Sequence, residues 1–139
     1  MSQSNTRVGQ IRVLAGEDLT GKAGYLVKMT HDGGVAEVQL PGDVAHYTRY
    51  VVVEEAEDGA LCSVAPLHGD RNVRLVLKGT CNPGDVIVLA AIDGTEDGKV
   101  QSLPATADVY FGIGIAEEAG VDGQLVLVRP TGMGLITVT

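Results

Sequence analysis

The chain carries one passage twice. Residues 117–130 read Glu-Glu-Ala-Gly-Val-Asp-Gly-Gln-Leu-Val-Leu-Val-Arg-Pro, and residues 54–66 read Glu-Glu-Ala-Glu-Asp-Gly-Ala-Leu-Cys-Ser-Val-Ala-Pro. Each leads from an acidic pair and an alanine through Asp-Gly into an alternating apolar run that ends at proline. The second copy has one extra residue before its aspartate. The match extends upstream, where Gly24-Tyr25-Leu26-Val27 and Gly84-Asp85-Val86-Ile87-Val88 open strand-like runs leading to Val38-Gln39-Leu40-Pro41 and Val100-Gln101-Ser102-Leu103-Pro104. Two similar halves, roughly 19–66 and 78–130, therefore make up most of the chain. A half of that size is marginal by itself, so the two are expected to share one core.

What fills that core follows from the residues available. With one Phe, four Tyr and no Trp among 139 residues, the interior must be built from Val, Leu, Ile and Ala, a set that favours strands. Nineteen glycines, many beside Asp or Pro, supply the backbone freedom that tight turns require. The expected fold is all-β: a compact β-barrel or sandwich built from two similar halves, with short antiparallel strands and Gly/Asp/Pro-rich turns. Residues 1–14 read as an N-terminal arm, 15–130 as the β domain and 131–139 as a C-terminal tail.

Strands are expected at 11–14, 25–30, 35–40, 50–53, 61–65, 72–78, 86–91, 99–101, 110–116 and 125–128, where apolar or β-branched residues alternate or run together. His31-Asp32-Gly33-Gly34 reads as a hairpin turn. Asn82-Pro83-Gly84-Asp85 reads as a type II turn, with Pro and Gly at its two central positions. Residues 44–50 and 103–109 fit either one helical turn or irregular chain. The alternating apolar run that ends the tail is expected either to close the barrel or to join a neighbouring chain's sheet edge.

The chemistry-bearing residues are sparse. A net charge of -8, with only ten Lys and Arg, opposes a nucleic-acid partner, whose affinity rests on cationic neutralisation. No segment approaches the ~20 apolar residues of a membrane-spanning helix, and the first residues hold no signal-like apolar run, so neither a membrane partner nor Sec export is expected. Cys62 and Cys81 read as reduced core residues, with a bridge between them the lesser alternative. His31, His46 and His68 show no metal-ligand spacing. The acidic pairs Glu54-Glu55 and Glu117-Glu118 stand at matching places in the repeat, so they read as solvated hairpin ends rather than a catalytic dyad. Gly112-Ile113-Gly114 lacks the rest of a dinucleotide fingerprint, and Asp93-Gly94-Thr95-Glu96-Asp97-Gly98 lacks the full calcium-loop pattern. No nucleophile-elbow or phosphate-loop motif occurs. The reading is of a non-enzyme without metal or cofactor.

One ordered set of short motifs points further. The Asn82-Pro83-Gly84-Asp85-Val86-Ile87-Val88 turn is followed by Tyr110-Phe111-Gly112-Ile113-Gly114-Ile115-Ala116-Glu117-Glu118-Ala119 and then Gly123-Gln124-Leu125-Val126-Leu127-Val128. This order, with the Gly-containing loop before Tyr25-Leu26-Val27, resembles the small bacteriophage capsid decoration (cement) proteins over about residues 15–130. The resemblance implies a compact β protein on the outside of an icosahedral shell, made in the host cytoplasm, often trimeric, bracing neighbouring capsomers and carrying no catalytic residues. Its expected partners are the major capsid protein and further copies of itself. On that reading the termini supply the capsid or subunit contacts, with Arg7, Ile11, Arg12, Val13, Leu14, Leu135, Ile136 and Val138 as candidates. The alternative is a small β-barrel metal- or ligand-binding protein using His31, His46 and His68.

Overall fold

A computed structural model describes residues 9–43, 47–94 and 97–139, and every regular element among them is a strand. The first five are β1 (Ile11–Ala15), β2 (Leu26–Asp32), β3 (Val35–Gln39), β4 (Tyr50–Glu54) and β5 (Leu61–Pro66). They form a closed barrel in the order β1-β3-β2-β4-β5, with β1 antiparallel to β5 and parallel to β3. The next five are β6 (Val73–Val76), β7 (Val86–Leu89), β8 (Val100–Ser102), β9 (Asp108–Ala116) and β10 (Leu125–Val138), ordered β6-β10-β9-β7-β8. A parallel bridge between Leu77 and Val100 brings the end of β6 to β8. The all-β expectation holds.

The second sheet reproduces the first strand by strand. Both run first strand to third in parallel, and every other neighbouring pair is antiparallel. The backbone hydrogen bonds coincide too. Gly24 N–H donates to the Val52 carbonyl at 2.9 Å and Gly84 N–H to that of Ala116 at 2.8 Å, while Gly59 N–H donates to Ala15 at 2.9 Å and Gly123 N–H to Leu77 at 2.7 Å. Leu19 N–H meets the Ala56 carbonyl as Cys81 N–H meets that of Gly120. These pairs make Val52, Ala56 and Gly59 the counterparts of Ala116, Gly120 and Gly123. The spacing is equal in the two copies, so no residue is inserted. Glu54 corresponds to Glu118, and the extra residue inferred from matching letters is an artefact of aligning the acidic pairs.

Local sequence sets the turns. Asp32 and Val35 face each other across Gly33 and Gly34, whose φ values of 58° and 85° fit the twist of a two-residue hairpin. Gly84 has φ 91°, and Asp85 N–H donates to the Asn82 carbonyl at 3.1 Å, as a type II turn demands. Residues 47–49 carry no regular structure, and residues 44–46 of the same uncertain segment lie outside the described residues.

The apolar interior divides into two clusters rather than one. The smaller, around Val13, Leu19, Val27, Val38, Val52, Cys62 and Val64, fills the first barrel. The larger joins Leu75, Leu77, Ile87, Leu89, Val100, Phe111, Val126 and Val128 of the second unit to Leu26, Val51 and Ala65 of the first. Alternation explains the split: Leu26 and Val27 are neighbours on one strand and point to opposite faces. Leu26 N–H also donates to the Gly98 carbonyl at 2.8 Å, and Val76 N–H to that of Gly24 at 3.1 Å, so backbone bonds cross the junction as well. Cys62 and Cys81 are free thiols buried in separate clusters.

The second unit departs from the first at one end. β5 stops at Pro66, but β10 continues through Pro130 to Val138. The continuation pairs with residues 108–112 of β9, from Gly134 opposite Gly112 to Val138 opposite Asp108, after a register shift between Pro130 and Gly134. The tail thus folds back along its own β9. It forms a two-stranded ribbon with its own chain.

Candidate functional site

The sequence-based contact candidates fall into two groups with different fates. Arg7 lies outside the described residues. Ile11, Arg12, Val13 and Leu14 belong to β1, which is held on both sides by β3 and β5. The arm boundary expected after Leu14 therefore falls inside a barrel strand. Val13 is core, Ile11 is half-buried against that core, Leu14 is half-buried and Arg12 is exposed. Leu135, Ile136 and Val138 sit on the ribbon, with Leu135 56% exposed and the other two half-buried.

The ribbon has a definite apolar face. Leu135 stands opposite Phe111 and Thr137 opposite Val109, so these four side chains project from the same side. Phe111 is buried in the larger core cluster, with Tyr47 edge-on to it at 6.1 Å between centroids and the Arg49 guanidinium 5.4 Å from its ring centre. The covering Tyr47 is itself 72% exposed, and Val109 is also exposed. Tyr47, Val109 and Leu135 consequently surround a buried ring with an apolar surface that no described part of the chain covers. Sequence reasoning missed Tyr47 and Val109, since nothing local signals that residues 108–112 continue β9 beyond the barrel.

Other candidates resolve into scaffold. Glu117 accepts from Asn72 Nδ2 at 3.0 Å and from Arg129 Nε and Nη2 at 3.1 and 3.3 Å. The Asn72 bond, then the Arg129 bond, hold its carboxyl below the usual glutamate range. Glu118 accepts from Arg74 Nη1 and from the Leu127 N–H, each at 3.1 Å. The second acidic pair thus ties the turn after β9 to β6 and β10, and does not converge on a vacant point. Burial pushes the thiols of Cys62 and Cys81 up, opposite to what a nucleophile needs.

The histidines divide likewise. His31 Nδ1 accepts from Gly34 N–H at 3.0 Å at an exposed hairpin tip, and His68 Nδ1 pairs with Asp70 at 2.8 Å on the surface. His46 lies outside the described residues. Among the described residues, no group of three or more His, Cys, Asp or Glu side chains could hold a metal ion. In the acidic stretch 93–98, Asp97 Oδ1 accepts from the N–H groups of Asp93 and Gly94 at 2.9 and 3.0 Å, and residues 95–96 lie outside the described residues.

The tandem five-stranded architecture has a counterpart among solved structures. The crystal structure of the head fiber gp8.5 N base of bacteriophage phi29 matches with a TM-score of 0.66, covering 88% of this chain and 92% of that one at 19% identity. The two chains share one fold. No protein-family model matches the sequence, and neither does any curated protein. The likeness spans both units and not a single barrel, so the fold that is shared is the paired arrangement.

Proposed function

We propose that the protein is a structural, non-catalytic component of a phage virion, seated on the exterior of the head as a homotrimer that bridges capsomers. One observation carries this reading: nearly the whole chain shares its fold with the base of a phage head fiber. The exposed ribbon face around Tyr47, Val109 and Leu135 is the contact surface we assign, since apolar residues grouped on one face suit a protein interface. The major capsid protein and further copies of the chain are the partners, and threefold attachment would multiply weak contacts by raising effective concentration.

Native mass measurement tests the assembly, with a trimer of the 14.4 kDa chain expected. Mixing with head particles stripped of accessory proteins, followed by sedimentation, tests attachment. Leu135→Asp should abolish trimer formation or particle binding while leaving the strand-rich circular dichroism spectrum intact. A monomer that fails to bind particles would overturn the reading, and unaltered behaviour of Leu135→Asp would remove the ribbon from it.

A further inference from the structure

Where β10 shifts register after Pro130, that strand, the linker between the units and the segment before β4 line a partly open cavity of about 230 Å³. A lone water occupies about 30 Å³ of liquid, so the space holds more than one. Thr48, Arg49, His68 and Thr131 supply its polar wall, and Leu67, Phe111, Ile113 and Pro130 its apolar one. Thr48 is fully buried and its hydroxyl has no hydrogen-bond partner; the hydroxyl of Thr131 has none either. Among the described residues these are the only buried side-chain polar atoms left without a partner, and both belong to this cavity. Buried polar groups are nearly always satisfied, so two orphan hydroxyls on one cavity mark it as a place able to receive a polar group.

The charge of the wall selects that occupant. Arg49 makes no ion pair among the described residues, its guanidinium being placed by the Phe111 ring alone. His68 is held at the rim by Asp70, and no carboxylate residue lines the space. In a chain of net charge -8, this is a pocket whose polar side chains are one arginine, one histidine and two threonines, with no acid among them. We propose that the cavity binds an alkyl carboxylate: the carboxyl group on Arg49 and the Thr48 and Thr131 hydroxyls, the methylenes against Leu67, Phe111 and Ile113. Arginine is the residue best shaped for that planar anion. A free small acid and the acidic side chain of another protein share this chemistry. The inference rests on the cavity and holds whether or not the protein belongs to a virion.

The test is a titration of the uniformly ¹⁵N-labelled full chain, following the amide signals of Gly69, Gly112 and Gly132. Sodium propionate and N-acetyl-glutamate methylamide are the probes, with propionamide and sodium chloride at matched ionic strength as controls. Saturable shifts at these three glycines with a carboxylate, absent with the controls, are expected. Arg49→Gln should weaken binding at least tenfold with the remaining spectrum unchanged, and Thr131→Val should weaken it severalfold. Binding of propionate alone identifies a free acid as the source, whereas binding of both probes identifies a site that accepts a protein's acidic side chain. The proposal fails if neither carboxylate saturates, if propionamide matches them, or if Arg49→Gln and Thr131→Val titrate like the parent. It also fails if Thr48→Val raises the melting temperature and leaves the titration unchanged, since the orphan hydroxyl would then be a packing fault.

Discussion

Glu117 shows how a residue that reads as chemistry in a sequence becomes structure in a fold. Its carboxylate is depressed by the Asn72 and Arg129 bonds, so its ionised form favours the folded state. The folded value lies below the ordinary 4.5, so the stabilisation is complete above that pH and is lost as pH falls through the folded value. Glu117→Gln should therefore lower the melting temperature at neutral pH, and the gap from the parent should narrow on acidification below about pH 4.5. A gap independent of pH would show that shape, not charge, is what the position supplies. Cys62 and Cys81 make the opposite case. With both thiols buried and their pKa raised, a thiol-exchange reagent should modify them far more slowly in the folded protein than in denaturant.

At the scale of elements, two glycines that look alike in sequence do different jobs. Gly84 occupies positive φ with open space where a side chain would stand, so Gly84→Val should cost only the backbone strain, about 1–3 kcal/mol, read as a lower denaturation midpoint. Gly114 has no unusual φ, but a Cβ there would collide with the Arg129 backbone carbonyl. Gly114→Ala should thus part β9 from β10 and cost more than the turn variant, even though alanine is the smaller addition. The turn was legible beforehand because Asn-Pro-Gly-Asp states its own geometry. The barrel strands were legible because alternation and β-branching mark them. The ribbon was not: Thr131-Gly132-Met133-Gly134 looks like a flexible lead, and only pairing with a distant segment makes it strand. For the same reason Thr48, Arg49 and Thr131, far apart in sequence, carried no shared signal before the register shift brought them to one cavity.

For the whole molecule, the repeat was visible as letters, but its division of labour was not. Which half of each strand faces the partner unit depends on a one-residue phase, and the letters alone placed that phase one residue off at the acidic pair. The larger cluster draws Leu26, Val51 and Ala65 from the first unit, so the second unit's interior is completed by side chains of the first. Heat should accordingly unfold the protein in one calorimetric transition. Leu26→Ala should lower that transition as a whole, by about 2–5 kcal/mol, instead of splitting it. Two separate transitions would mean that the junction is weaker than its shared side chains imply.

The parallel contact between β1 and β3 also orders events in time. In each unit the opening strand is gripped by the third and the fifth, so it has no complete neighbourhood until the last of its own five strands exists. On the ribosome, β1 must wait through some fifty residues of synthesis before β5 emerges to flank it, a long interval at roughly 5–20 residues per second. The second unit repeats the delay. A chain built this way spends its synthesis with two unfinished cylinders, each waiting to close on its own beginning.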